Sequence, residues 1–122
     1  MRFAQDSASG INVIRAYGNG ELRVNESVYR GAVILSAATV IAAANIDNLD
    51  ELIAFGVSRA LTLEPELVLL GTGARQVFPA ASCAAQFLRA GIGFEVMDTS
   101  AACRTFNVLV GEQRRVAALL LL

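Results

Sequence analysis

Leu67-Val68-Leu69-Leu70-Gly71-Thr72-Gly73, with Pro79 to Ala90, Phe94 to Met97 and Asp98-Thr99 after it, is the stretch whose reading decides the fold. The run from Leu67 to Leu70 has no alternation, the mark of a strand buried on both faces between helix layers. A helix follows from Pro79, where a proline at the first position loses no needed N–H, to Ala90, and Gly91 stops it. Its inner face reads as Ala80, Ala84, Phe87 and Leu88. Phe94 to Met97 is the next strand, Asp98 or Thr99 caps a helix running to about Glu112, and Val116 to Leu122 is a last unbroken apolar strand. Two strand–loop–helix units in series place the Gly71–Gly73 and Asp98–Thr99 loops side by side at one edge of a parallel sheet, where open α/β folds hold ligands.

Upstream, Leu49, Leu52, Ile53, Val57, Ala60 and Leu61 recur at helical spacing, with Asp47 or Asn45 as the cap and Pro65 beyond the end. Before residue 47 the chain reads as short strands: Ile11 to Tyr17, Leu22 with Val24, Val28 to Leu35, and Thr39 to Ala42. Gly18-Asn19-Gly20 and Asn25-Glu26-Ser27 supply turns. The Ala37-Ala38 junction has neither Gly nor Pro. Residues 1–10, polar and small, read as a flexible lead-in, and 11–122 as one α/β domain, because no linker-like stretch separates the hairpins from the βα units.

Charge and composition exclude several functions. The chain has ten arginines, no lysine and no histidine, with a net charge of −1. Thinly spread cations do not make a nucleic-acid surface. Without histidine there is no His-dependent triad and no His-ligated metal site, and no cofactor is expected. Cys83 and Cys103 lack C-x-x-C spacing and fit a reducing compartment. No signal or transit pattern opens the sequence, so the expected location is cytoplasmic. The longest uncharged run, the sixteen residues Gly31 to Ile46, is too short and too interrupted for membrane insertion.

The candidate crevice consists of Gly71, Thr72, Gly73, Arg75, Gln76, Asp98, Thr99, Cys103, Arg104 and Asn107. Gly71-Thr72-Gly73-Ala74-Arg75-Gln76 matches only the first part of a dinucleotide fingerprint, because Gln76 stands where the third glycine belongs. A glycine turn needing positive φ explains the same residues. Arg75 and Arg104 can approach one anion, or Arg104 can pair structurally with Asp98. Cys103 falls at the flank of the buried arc of Ala102, Phe106, Leu109 and Val110. Asn107, Ser100 and Arg104 fall on the polar side. With no base nearby, Cys103 reads as a packed thiol rather than a nucleophile.

Leu69-Leu70-Gly71-Thr72-Gly73 with Gln76, Phe78 and Pro79, then Gly91-Ile92-Gly93, Glu95 to Thr99 and Ala101-Ala102-Cys103-Arg104-Thr105-Phe106-Asn107, resembles the domain-of-unknown-function 498 family. That family contains bacterial and archaeal stand-alone domains, and its mitochondrial member is an assembly factor for respiratory complex I. The resemblance implies a three-layer α/β domain, with a mixed central sheet, βα units in the C-terminal two-thirds and an N-terminal β-hairpin layer. It also implies protein partners, respiratory-complex subunits among them, and it offers no catalytic residues to carry over. The first functional expectation is therefore a non-enzymatic assembly or interaction factor. The alternative is a small-molecule binder or enzyme, for an anion or nucleotide-like ligand, using the Gly71 and Asp98 loops. A mean hydropathy of +0.53 and a tail of Leu119-Leu120-Leu121-Leu122 add the expectation of a homo-oligomer.

Overall fold

The structure is a computed structural model that describes residues 10–122, so the expected lead-in lies, but for Gly10, outside the described residues. Its elements are β1 (Ile14–Gly18), β2 (Glu21–Val24), β3 (Ser27–Arg30), β4 (Ala32–Ser36), β5 (Val40–Ala43), α1 (Leu49–Thr62), β6 (Leu67–Gly71), α2 (Ala81–Arg89), β7 (Gly93–Met97), α3 (Thr99–Gly111) and β8 (Val116–Leu121). They build two sheets, one of order β1-β2-β3 and one of order β5-β4-β8-β6-β7. The larger sheet is mixed: β8, β6 and β7 run parallel, while β4 is antiparallel to both β5 and β8.

Side-chain alternation divides the sheet into two cores. Ile34, Val68, Leu70, Ala117 and Leu119 face α1 and α2. Val33, Leu35, Leu69, Ala118 and Leu120 face α3 and the small sheet, whose contribution is Ile14, Leu22 and Val24. The fold is thus α/β in three layers: a helix pair, the mixed sheet, and a layer shared by α3 and the hairpins. α2 carries the chain outward from β6 to β7, and α3 carries it back past β6 to β8. Right-handed crossovers running in opposite directions along a sheet must use opposite faces, and these two do.

Local sequence explains most of the joints. Asn19 and Gly20 both take positive φ, 53° and 74°, making the Asn-Gly hairpin turn between β1 and β2. The strand expected over 28–35 is divided at Gly31, whose φ of 82° moves the chain from the small sheet to the large one. A Cβ there would lie 2.5 Å from the Ala44 carbonyl oxygen, so both conformation and space demand glycine. The Ala37-Ala38 turn needs no glycine because Ser36 and Thr39 exchange backbone hydrogen bonds and neither alanine takes positive φ. Asn12 Nδ2 steadies it, donating to the Ser36 carbonyl at 2.9 Å.

Three boundary expectations are corrected. The cap of α1 is Asn48, whose Oδ1 accepts from the Glu51 amide at 2.9 Å, rather than Asp47 or Asn45. α2 starts at Ala81 with Ala80 as its cap, so Pro79 precedes the helix instead of opening it. Its inner face is Cys83 and Phe87, while Leu88 is exposed. The Phe87 ring stacks on Phe94 with centroids 5.2 Å apart, which fixes the helix rotation and carries Leu88, one position on, about 100° away.

Gly31→Ala is expected to lower unfolding free energy in urea by more than the roughly 1–2 kcal/mol of a left-handed alanine, since the carbonyl clash adds to it. Gly111→Ala, with nothing within 4 Å of an added Cβ, is the matched control and should be neutral or mildly stabilising.

Candidate functional site

The parallel strands β6, β7 and β8 end at one edge, and the segments that follow β6 and β7 are tied together there. The Thr72 amide donates to the Met97 carbonyl at 3.0 Å, and the Thr99 amide donates to the Gly73 carbonyl at 2.9 Å. Thr99, fully buried, makes two more bonds through its hydroxyl: Oγ1 accepts from the Gly73 amide at 2.8 Å and donates to the Leu121 carbonyl at 2.6 Å. The ends of β6, β7 and β8 therefore meet at one side chain. Gly71 is favoured by closeness, because a Cβ there would sit 3.0 Å from Thr99 Oγ1 and 3.1 Å from Thr99 Cα, tighter than an ordinary contact. Gly73 is the turn glycine, with φ 99°. The junction where the two crossovers diverge, the usual ligand crevice of such sheets, is occupied by these bonds.

The candidate residues fall in separate places. Gly71, Thr72, Gly73 and Thr99 share the strand ends. Beside them, a hollow of about 490 Å³ opens toward Gly31, Ile46, Asp47 and Leu121. Cys103, Arg104 and Asn107 lie along α3 facing β1, where a notch of about 170 Å³ also takes in Ser100 and Tyr17. Asp98 accepts from the Ala101 amide at 2.9 Å and so caps α3. Among the described residues no ion pair joins it to Arg104, whose Nη1 donates to Ser100 Oγ at 2.9 Å. Asn107 completes β1: its Oδ1 accepts from the Ile14 amide at 3.0 Å and its Nδ2 donates to the Ile14 carbonyl at 2.8 Å.

Cys103 faces inward, buried, rather than lying at the flank. Burial pushes its thiol up to about 11, against the pull of Arg104 in the other direction. Burial likewise raises the Cys83 thiol and the Tyr17 phenol. A neutral thiol is a poor nucleophile and a poor metal ligand, so this part of the site packs rather than reacts.

Arg75 and Gln76 belong to the loop that leaves β6. Thr72 Oγ1 donates to the Arg75 carbonyl at 2.6 Å and accepts from the Val77 amide at 3.0 Å. Gln76 Nε2 donates to the Val96 carbonyl of β7 at 3.0 Å. Pinned at both ends, the loop holds Phe78 75% exposed, with Val77 exposed beside it. Neither was singled out as a site from sequence. The signal was present in Val77-Phe78-Pro79, an apolar triplet where a connection to a surface helix is ordinarily polar.

This fold is that of a known family. The chain belongs to the family described as protein of unknown function DUF498/DUF598, whose sequence profile matches residues 14–121. A crystal structure of a Bordetella parapertussis protein superposes with a TM-score of 0.83 at 35% identity, covering 93% of this chain and 98% of that one. NADH dehydrogenase [ubiquinone] 1 alpha subcomplex assembly factor 3 of Danio rerio is 34% identical over 120 residues, 96% of this chain and 68% of that protein. The 13 kDa major membrane protein of Francisella tularensis subsp. holarctica is 31% identical over 108 residues, 88% of each. Among the described residues here, no helix is long and apolar enough to cross a membrane.

Two outcomes test the site as built. Thr99→Val should cost about 2 kcal/mol or more, because the Gly73 amide and the Leu121 carbonyl both lose their partner, while Thr99→Ser should retain most of the stability. With a pKa near 11, roughly one Cys103 in a thousand is thiolate at pH 8. Thiol labelling of the native protein should then proceed far more slowly than in denaturant; prompt labelling of Cys103 in the folded state would contradict the packing.

Proposed function

We propose that the chain is a cytoplasmic, non-enzymatic assembly factor: one domain over residues 11–122 that binds subunits of a respiratory complex while that complex is built. The observation that carries the reading is the Val77-Phe78 loop, an exposed aromatic held in place by Thr72 and Gln76. A rigid aromatic loses little entropy on binding and fills a partner pocket, which is how interface anchors act. The name of the Danio rerio relative supports the same direction. Arg75 and Gln76 are the neighbouring groups suited to the rim of such a contact. Self-association of the chain is part of the proposal.

The second reading, a small-molecule site, draws on the hollow beside Gly73 and Asp47. Its volume of about 490 Å³ falls in the range of roughly 300–1,000 Å³ typical of ligand pockets.

The test is capture of partners from the native organism with the wild-type chain and with Phe78→Ala. Respiratory-complex subunits should be enriched by the wild type. The variant should bind at least tenfold more weakly, as anchors of this kind contribute about 2 kcal/mol or more, yet melt at the same temperature. Unchanged complex assembly in a deletion strain, together with a metabolite that raises the melting temperature and whose effect Asp47→Ala removes, would replace the first reading by the second.

A further inference from the structure

The large sheet has a free edge at β7. β7 is the last strand beyond β6, and the other edge, β5, lies against β3 of the small sheet. In β7 the residues that bond β6 are Gly93, Glu95 and Met97, as the bonds from the Gly93 amide to the Glu66 carbonyl and from the Thr72 amide to the Met97 carbonyl require. Phe94 and Val96 therefore turn their backbone groups outward. The Val96 carbonyl is taken by Gln76 Nε2 at 3.0 Å, and the Ile92 amide is taken by the Phe87 carbonyl at 2.9 Å. Among the described residues, the Phe94 amide and carbonyl and the Val96 amide have no partner. Unpaired edge groups of this kind are a template for a strand from another chain.

We propose that a second copy of this chain pairs along β7, antiparallel, with Phe94 opposite Phe94 of the second copy. The choice of occupant and register follows from which groups are spoken for. In this register the two Phe94 residues exchange both backbone bonds, and each Val96 amide donates to the Ile92 carbonyl across the axis. The two groups left out, the Val96 carbonyl and the Ile92 amide, are the two already bonded within each copy. Glu95 then lies opposite Gly93, which has no side chain to oppose it. Sliding the strands to put Phe94 opposite Val96 would set Glu95 against Glu95, a like-charge pair, and would require the occupied Val96 carbonyl. Placing Val96 opposite itself requires that carbonyl as well. On the α2 face the register brings the two Phe94 rings together, each already stacked on its Phe87, so the apolar layer continues across the join. The result is a twofold dimer with one sheet of ten strands, an isologous interface. This goes beyond the assembly-factor reading and does not depend on it, because it uses the strand edge and not Phe78.

Sedimentation equilibrium of the full chain from about 5 to 500 µM, with amide hydrogen exchange at both ends of that range, tests the pairing. The expected result is a concentration-dependent dimer in which the Phe94 and Val96 amides become at least tenfold more protected while the Val40 and Ala42 amides of β5 do not change. Val96→Pro removes one outward donor at an edge position that proline tolerates, and it should weaken the dimer at least tenfold with the circular dichroism spectrum retained. A monomer throughout the range, or a dimer whose Phe94 and Val96 amides exchange as fast as in the monomer, overturns the proposal. Should Val96→Pro fail to fold, the exchange pattern of the wild type decides alone. Partner capture by Phe78 is read separately, so failure of the pairing along β7 bears on self-association alone and leaves the binding of other subunits standing.

Discussion

A threonine hydroxyl can donate one hydrogen bond and accept others, and Thr99 uses both capacities between strand ends to which it does not belong. The three parallel strands would otherwise end as independent chain segments, each with backbone groups to satisfy. Instead Gly73 and Leu121 are both bonded to one buried oxygen. Leaving either unpaired in a dry site costs about 1–3 kcal/mol, so the arrangement tolerates little movement. It also reaches sequence at a distance: a Cβ on Gly71 would press on the start of α3 and force it to shift by a few tenths of an ångström. The loop after β6 inherits the constraint, and the exposure of Phe78 on a fixed backbone is its consequence.

The hairpin layer is attached by amide side chains that stand in for a strand. β1 has β2 on one side only, and Asn107 of α3 supplies Ile14 on the other side with one acceptor and one donor, as a neighbouring strand would. Asn25 does the same for the chain before β1, accepting from Val13 at 3.0 Å and donating to Asn12 Oδ1 at 3.0 Å. Asn12 in turn reaches the turn between β4 and β5. α3 is consequently held against both the large sheet and β1, and this explains the burial of Cys103, which raises its thiol pKa.

The βα half of the fold was legible because its signals are local. Leu67 to Leu70 has no polar alternation, Gly91 ends a helix, and Asp98 stands where a cap belongs. The hairpins were legible where Asn19-Gly20 wrote a turn, and less so at Gly31, since a glycine inside an apolar run does not announce that the chain changes sheets. The site was harder. Asn107 and Arg104 share the polar side of α3, yet the notch they face is formed by β1, some ninety residues earlier in the chain, and no periodicity encodes that meeting. Thr99 read as a cap alternative to Asp98 because both begin a helix; that its hydroxyl would cross to Leu121 depends on the register of β8. Two of the blocks that carry the family resemblance, Leu69 to Gly73 and Glu95 to Thr99, meet at the strand ends, where close approach restricts residue choice.

The apolar character of the chain has a different meaning in the folded structure from the one composition suggests. Leu119-Leu120-Leu121-Leu122 looks like excess surface, yet Leu119 and Leu120 are fully buried and Leu121 and Leu122 half-buried, because β8 is the central strand, flanked by β4 and β6 and covered on both faces. Strands β4, β6 and β8 absorb apolar side chains on both sides, so a sheet covered twice raises mean hydropathy without making a surface adhesive. Among the described residues, the large apolar side chains left outside are few: Ile11 before β1, Val77 and Phe78 on the pinned loop, Leu88 on α2, Val108 on α3 and Val28 on β3. Three of these six belong to the segment that runs from the end of β6 through α2, the helix that packs on β7. Half of these exposed apolar groups and the unpaired backbone of β7 thus lie on one side of the sheet, a placement that the average over the chain does not reveal.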